Sequence, residues 1–222
     1  MKKSKSKVKT NPKVKSAKAE SKIDVLLREN NLGIKLDIGC GDNKQVGFVG
    51  MDIRELDGVD IVHNIEQFPY PLPDESCSMV VASHVLEHVN PGSTDPRLVG
   101  LFKLLLDKKV ISKEEVDKYV GKYQTFGVFL AFMDEIWRIT QIDGTFAFVV
   151  PYAGSSGFFQ DPTHLNPINE ATLAYFDPFD QSGLWAIYKP YPWKIVQSSW
   201  SNVGNLEVIL QKRRIDKSYK PN

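Results

Sequence analysis

The sequence predicts an α/β fold: a three-layer sandwich built on a mostly parallel seven-strand sheet, with a C-terminal antiparallel hairpin and a helical insertion. Three observations carry that prediction. Short apolar, β-branched runs alternate with segments of helical periodicity, the pattern of a sheet covered by helices. The first of those runs ends in Gly39-Cys40-Gly41, a turn suited to the carboxyl end of a parallel strand. The last two runs are separated only by Asn202-Val203-Gly204-Asn205, a hairpin connection.

The elements follow in order. A short helical stretch covers 23–28, and 33–38 is a buried strand running into the glycine turn. Further strands are expected at 49–53 and 59–62. The run Ser78-Met79-Val80-Val81-Ala82-Ser83 is nearly continuous in apolar character, as a strand covered on both faces should be. Helical spacing returns at 98–107, a capping-box pattern opens at Ser112, and 126–140 is an amphipathic helix. Asp143-Gly144 reads as a turn, followed by a strand at 145–150 that Pro151 stops. Residues 152–192 are rich in Gly, Pro, Asn and aromatics, too long for a plain connection, and suggest a functional loop region. Strands at 194–201 and 206–212 close the fold.

Composition bounds the rest. With 222 residues and 42% apolar content, one sizeable core is possible. We assign one domain to 23–222, with a helical insertion at about 94–125. Residues 1–22 hold nine lysines against the single acid Glu20, a net of +8, so the remainder carries −7 of the overall +1. The tail has too few apolar residues to pack and is expected to be a disordered, solvated arm. Contact with nucleic acid or the ribosome is its sharper reading. No run approaches the roughly 20 apolar residues of a membrane span, and no apolar stretch follows the lysines to make a secretory signal. Cys40 and Cys77 form no C-x-x-C pair, which suits a reducing, cytoplasmic setting.

The chemistry concentrates on Leu36-Asp37-Ile38-Gly39-Cys40-Gly41. Glycines permit the sharp turn and close approach of a ligand, and exposed backbone N–H groups there can hold an anion. An acid, Asp52, stands at the end of the second strand, where such folds hydrogen-bond ribose hydroxyls. The pair indicates a nucleoside-bearing cofactor. A nicotinamide dinucleotide is disfavoured, because Lys44 occupies the third glycine position of G-x-G-x-x-G. The interval to Asp52 also leaves little helix to receive a pyrophosphate. A nucleoside cofactor without phosphates fits better, and S-adenosylmethionine is one.

With these residues and the later runs Phe68-Pro69-Tyr70-Pro71-Leu72-Pro73, His84-Val85-Leu86-Glu87-His88 and Glu135-Ile136-Trp137-Arg138-Ile139, residues 33–151 resemble the class I S-adenosylmethionine-dependent methyltransferases. The branch carrying Gly-Cys-Gly-x-x-Lys is the most similar. The resemblance implies that Asp37, Gly39 and Gly41 face the methionine portion, Asp52 holds the ribose and Ile53 lies against adenine. Where the family has an acid for the adenine amino group, this sequence has Asn64, followed by Ile65; the amide oxygen can still accept that bond. Ser83 and His84 would line the methyl-transfer face. An unidentified methyl acceptor, with a reacting oxygen or nitrogen, completes the implied reaction.

Two polar clusters remain. His84-Val85-Leu86-Glu87-His88 also spells the inverted zincin pattern H-x-x-E-H. It follows a buried strand directly rather than lying within a long helix, so we assign it no metal; His84 is instead a candidate general base. In Asp161-Pro162-Thr163-His164, both Asp161 and His164 are substrate-side candidates, and a local Asx-type turn is the alternative. The Asn-Pro-Pro-Tyr tetrad used on exocyclic base amines is absent after Ser83, which disfavours DNA-base methylation. Rival readings are a catalytically silent relative acting as a binding module and a zinc hydrolase built on His84, Glu87 and His88.

Overall fold

The structure, a computed structural model, describes residues 20–91, 104–112 and 128–214. Most of the basic tail and most of the expected insertion, including the capping box beyond Ser112, lie outside those residues; within the insertion, 104–107 is helical.

A seven-stranded sheet organises the chain in the order β3-β2-β1-β4-β5-β7-β6. Its strands are β1 (Ile34–Ile38), β2 (Val49–Asp52), β3 (Ile61–Val62), β4 (Cys77–Ser83), β5 (Thr140–Pro151), β6 (Trp193–Trp200) and β7 (Asn205–Lys212). The first five run parallel, and β7 inserts antiparallel between β5 and β6. This is the mixed sheet the sequence predicts. Ile34, Leu36, Ile38, Val80, Phe146 and Leu210 are wholly buried along its middle.

Helix α1 (Lys22–Glu29) starts one residue before the sequence expectation. Ser21 caps it: the side chain accepts from Asp24 N–H, and the Asp24 carboxylate takes the Ser21 N–H in return. Helix α2 (Val128–Ile139) buries Phe132, Met133, Ile136 and Ile139. Those positions form one stripe of a 3.6-residue period, which is why this segment is a helix laid on the sheet. Among the described residues no helix is long and apolar enough to cross a membrane.

The strand after α2 differs from expectation. Asp143-Gly144 does not end an element; it lies inside β5, which begins five residues earlier, at Thr140. Pairing with β4 shifts register between Cys77 and Met79, and Asp143 adopts φ 64. The turn-like residues therefore make a bulge within the strand. The segment from 152 to 192 carries three short helices (Ser156–Phe159, Glu170–Ala174 and Trp185–Tyr188) between its loops.

At the amino ends of β4 and β5 the chain is locked by charge. Arg138 donates to Glu135 Oε2 at 2.9 Å, to Asp74 Oδ1 at 2.6 Å and to the Leu72 carbonyl at 2.9 Å, while Glu135 Oε1 accepts Tyr70 N–H at 2.6 Å. Burial works against the Arg138 charge, yet the Glu135 and Asp74 carboxylates hold its pKa above the ordinary arginine value. Glu135 is nearly buried, so removing its partner leaves an uncompensated charge. Arg138→Met should lower the unfolding free energy by about 3 kcal/mol in urea titration; a loss below about 1 kcal/mol would show that the network is dispensable.

Candidate functional site

Strand order reverses at β1. The chain leaves β1 for β2 and β3 on one side, then returns to β4 on the other. The carboxyl ends of β1 and β4 therefore flank a topological switch point, where open α/β sheets leave a crevice for ligands. The glycine turn and the His84 turn sit at those two ends.

Both glycines of the turn require their residue type. Gly39 and Gly41 have φ 66 and 56, backbone that side chains rarely adopt. A Cβ on Gly39 would lie 2.5 Å from Val85 Cγ2. The turn is thus packed directly against the residue following His84. Gly39 N–H donates to the Met51 carbonyl at 2.7 Å, and Gly41 N–H donates to Asp52 Oδ2 at 2.9 Å.

Asp52 is almost buried and faces this turn. Its other oxygen, Oδ1, accepts Arg54 N–H at 2.9 Å and Arg54 Nε at 3.2 Å. Burial acts to raise the Asp52 carboxyl's pKa, but the bonds from Arg54 and Gly41 outweigh it and hold the group below the usual carboxylate value. Asp37 responds oppositely: burial raises its pKa, opposed by the bond its Oδ2 takes from Gln45 N–H at 2.8 Å. Ile53, next to Asp52, is 61% exposed, an unusual position for a large aliphatic side chain beside a buried carboxylate.

Asn64 Oδ1 accepts Glu66 N–H at 2.9 Å, closing a local turn, and Ile65 lends its carbonyl to the Tyr70 hydroxyl at 2.8 Å. Both residues thus hold the β3 end in shape. Ser83, exposed, is the last residue of β4 and pairs with Val149.

The His84 segment is no helix. His84 takes φ 55, and only Leu86–His88 forms a single 3-10 turn. The helical geometry that a zincin would need, with two histidines one turn apart, is absent here. Instead His84 Nδ1 lies 3.1 Å from Glu87 Oε1, and Asn205 Nδ2 lies 3.4 Å from His84 Nε2. The carboxyl fixes Nδ1 as the protonated nitrogen and leaves Nε2 as the acceptor. The imidazole is half exposed while Glu87 is wholly buried.

The 161–166 loop is stitched to the same turn. The Glu87 carbonyl accepts from Leu165 and Asn166 N–H at 2.8 and 3.0 Å, and Asn166 Nδ2 donates to the Leu86 carbonyl at 3.1 Å. Asp161 forms the Asx-type turn: Oδ1 accepts Thr163 N–H at 2.8 Å and the Thr163 hydroxyl at 2.6 Å. Those bonds from Thr163 lower its pKa. His164 is turned inward, its side chain 8% exposed, with Nδ1 donating to the Phe158 carbonyl at 2.9 Å. Asp37, Gly39, Gly41 and Asp52 are thus joined around one turn, and His84, Asp161 and His164 are joined through the adjoining turn and loop.

Two participants escaped sequence reasoning. Lys44, read there as a missing glycine and as the lysine of Gly-Cys-Gly-x-x-Lys but given no role, donates through Nζ to Asp60 Oδ2 at 2.7 Å, and Asp60 Oδ2 also takes Gly50 N–H at 2.8 Å. The Lys44 stem packs where a Cβ on Gly50 would stand, 2.8 Å from Lys44 Cδ. The lysine thus braces the glycine turn against β2. The Gly-Cys-Gly-x-x-Lys spacing was the available signal. Glu87 was the other, considered as a zincin base or as part of a run bracing the strand end, without its bond to His84.

No family model matches the sequence, and no curated protein matches it. Solved structures with a similar trace include a SAM dependent methyltransferase from Archaeoglobus fulgidus, 16% identical with a TM-score of 0.45, covering 86% of this chain and 95% of that one. Another, from Aquifex aeolicus, is 12% identical with a TM-score of 0.44, covering 85% and 88%. A third, an S-adenosylmethionine dependent methyltransferase from Mesorhizobium loti, is 10% identical with a TM-score of 0.44, covering 86% and 98%. At these identities and scores the likeness assigns no activity to the chain.

Asp60 supplies a test of the brace. Burial works to raise its pKa, but the Lys44 and Gly50 bonds hold it below the ordinary value. A carboxylate with a depressed native pKa stabilises fully above its unfolded pKa of about 3.9 and loses that contribution as pH falls through the native value. Asp60→Asn should cost roughly 2 kcal/mol at pH 7. It should also flatten the stability loss between pH 5 and pH 3, as read by urea titration at each pH. An unchanged acid limb would contradict this.

Proposed function

We propose that the chain is an S-adenosylmethionine-dependent methyltransferase acting on an oxygen or nitrogen of an acceptor still to be identified. The observation that carries the reading is the Asp52 carboxylate closed over the Gly41 N–H at the switch point of the sheet. A buried carboxylate beside a glycine turn suits the vicinal hydroxyls of a ribose, which donate where Asp52 accepts. The exposed Ile53 beside it supports the reading, since an adenine ring would cover it. Among the described residues, the cations beside the turn are paired, Arg54 with Asp52 and Lys44 with Asp60, which suits a cofactor without phosphates.

In this reading Asp37, Gly39 and Gly41 hold the amino-acid portion, Asp52 the ribose, and Ile53, Asn64 and Ile65 border the base. The cofactor supplies an electrophilic methyl group when bound. The protein's part is then to align the acceptor and remove its proton. His84 suits that role, because its Nδ1 is held by the Glu87 carboxyl and its half-exposed Nε2 carries the lone pair. Ser83 adjoins it at the strand end. Asp161 and His164 frame the acceptor side through the loop bonded to the same turn. Cys40 and Cys77 are free and buried, which accords with a reducing, cytoplasmic setting.

Calorimetry with S-adenosylmethionine and S-adenosylhomocysteine tests the binding. Both should bind the purified full chain, and Asp52→Asn should weaken each by about tenfold, the loss of a charge-assisted bond. Absence of binding by the unmodified chain would end the proposal. A labelled-methyl screen over candidate acceptors then tests the chemistry. His84→Gln should lower the transfer rate by about 100-fold or more while leaving cofactor affinity unchanged. Full activity in that variant would remove His84 as the base.

A further inference from the structure

Glu87 is wholly buried, and among the described residues its Oε2 has no hydrogen-bond partner. Its other oxygen is taken by His84 Nδ1. A buried carboxyl with a vacant oxygen costs several kcal/mol unless something cationic meets it. Two imidazoles stand beside it. Glu87, His88 and His164 each offer a donor atom within 4.8 Å of the others, and the two rings meet edge to face with centroids 4.7 Å apart.

The tautomers are set from outside the cluster. His164 Nδ1–H donates to the Phe158 carbonyl. The Thr163 hydroxyl gives its proton to Asp161 Oδ1, so its oxygen accepts from His88 Nδ1–H at 3.1 Å. Each ring therefore keeps its proton on Nδ1 and leaves Nε2 unprotonated, and Asp161 Oδ2 lies 3.7 Å from His164 Nε2. Such second partners are how metal-ligating histidines are oriented.

We propose that Glu87, His88 and His164 form a binding site for one divalent transition-metal ion, with zinc the best match. Two neutral imidazoles and one carboxylate are a common zinc donor set. They leave a tetrahedral ion one position for water or for an oxygen or nitrogen of another molecule. Ligand bonds of about 2.0–2.2 Å require donors roughly 3.3–3.6 Å apart in a tetrahedral shell. Drawing donors in from as much as 4.8 Å requires closure by up to about 1.2–1.5 Å, which falls to the exposed His88 ring. This departs from the sequence reading, which assigned no metal and which paired His84 with His88 in its zincin alternative. His84 here supports Glu87 from behind and is not a ligand. The ion would also clasp the 161–166 loop onto the 86–88 turn, because its ligands come from both.

The test uses the full chain dialysed against a chelator and then given zinc alone, so it is independent of cofactor and acceptor. Elemental analysis after desalting should find one zinc per chain, and competition with a chromophoric chelator should give submicromolar affinity. His88→Gln and His164→Gln should each weaken binding at least 100-fold, and His84→Gln by 10–100-fold as an outer partner. Zinc should raise the melting temperature of the unmodified chain and not of the His88→Gln/His164→Gln double variant. Should a variant fail to fold, cobalt(II) in the unmodified chain gives a second reading: a visible tetrahedral d–d band supports the site. No zinc retained at micromolar concentration, equal affinity in the folded double variant, or a cobalt spectrum like the free aquo ion would overturn the proposal.

Discussion

The bond from Gly41 N–H to the Asp52 carboxylate governs the molecule's functional edge. It needs a left-handed residue at 41, a second at 39, and an acid at the last position of β2. Once it forms, the ends of β1 and β2 are one rigid unit. The 2.7 Å bond from Gly39 N–H to the Met51 carbonyl adds to the same joint. The near contact of Gly39 with Val85 brings in the end of β4 as well. Lys44 and Asp60 close the far side. A side chain at position 39 would push β4 away from the turn, separating the residues that have to act together.

Buried charge is distributed unequally between the two ends of the sheet. At the amino ends of β4 and β5, Arg138 is ringed by Glu135, Asp74 and two carbonyls. Close by, Lys212 Nζ reaches the Thr140 carbonyl at 2.7 Å and Glu75 at 3.3 Å. Burial lowers the Lys212 pKa, and Glu75 pulls the other way. These groups satisfy one another, as structural charges in a low-dielectric interior must. The carboxyl ends differ. There Asp52 accepts Gly41 N–H on one oxygen and Arg54 on the other, Glu87 Oε2 has no partner among the described residues, and Ile53 is left uncovered.

Much of this was legible in the sequence because burial dominates the strands. Apolar runs such as 78–83 have no other stable use, and the predicted sheet, its hairpin and helix α2 are the observed ones. Boundaries failed where local chemistry and long-range pairing compete. Asp143-Gly144 looks like a turn to any local rule, but pairing with β4 absorbs it as a bulge. The glycine turn and Asp52 were legible from spacing alone, since backbone geometry dictates both. Lys44–Asp60 and the Glu87 cluster were not. Their partners lie 16 residues apart and on separate elements respectively, and only the folded sheet edge brings them together.

His84 explains why one short run carries two roles. Had His84-Val85-Leu86-Glu87-His88 formed a helix, both histidines would share a face and could ligate one ion together. The φ of 55 at His84 prevents that. A left-handed backbone strains a non-glycine residue by roughly 1–2 kcal/mol, and glycine or asparagine would occupy the position at less expense. Strain of this kind persists where the surroundings hold it, here the His84 N–H bond to the Val149 carbonyl at 2.9 Å and the Glu87 contact. The twist turns His84 to one oxygen of Glu87, and the other oxygen has no partner among the described residues. The carboxyl then serves as a divider: a proton-accepting imidazole on one flank, a cation's ligand set on the other. A single buried glutamate thereby couples the orientation of His84 to the packing of the 161–166 loop.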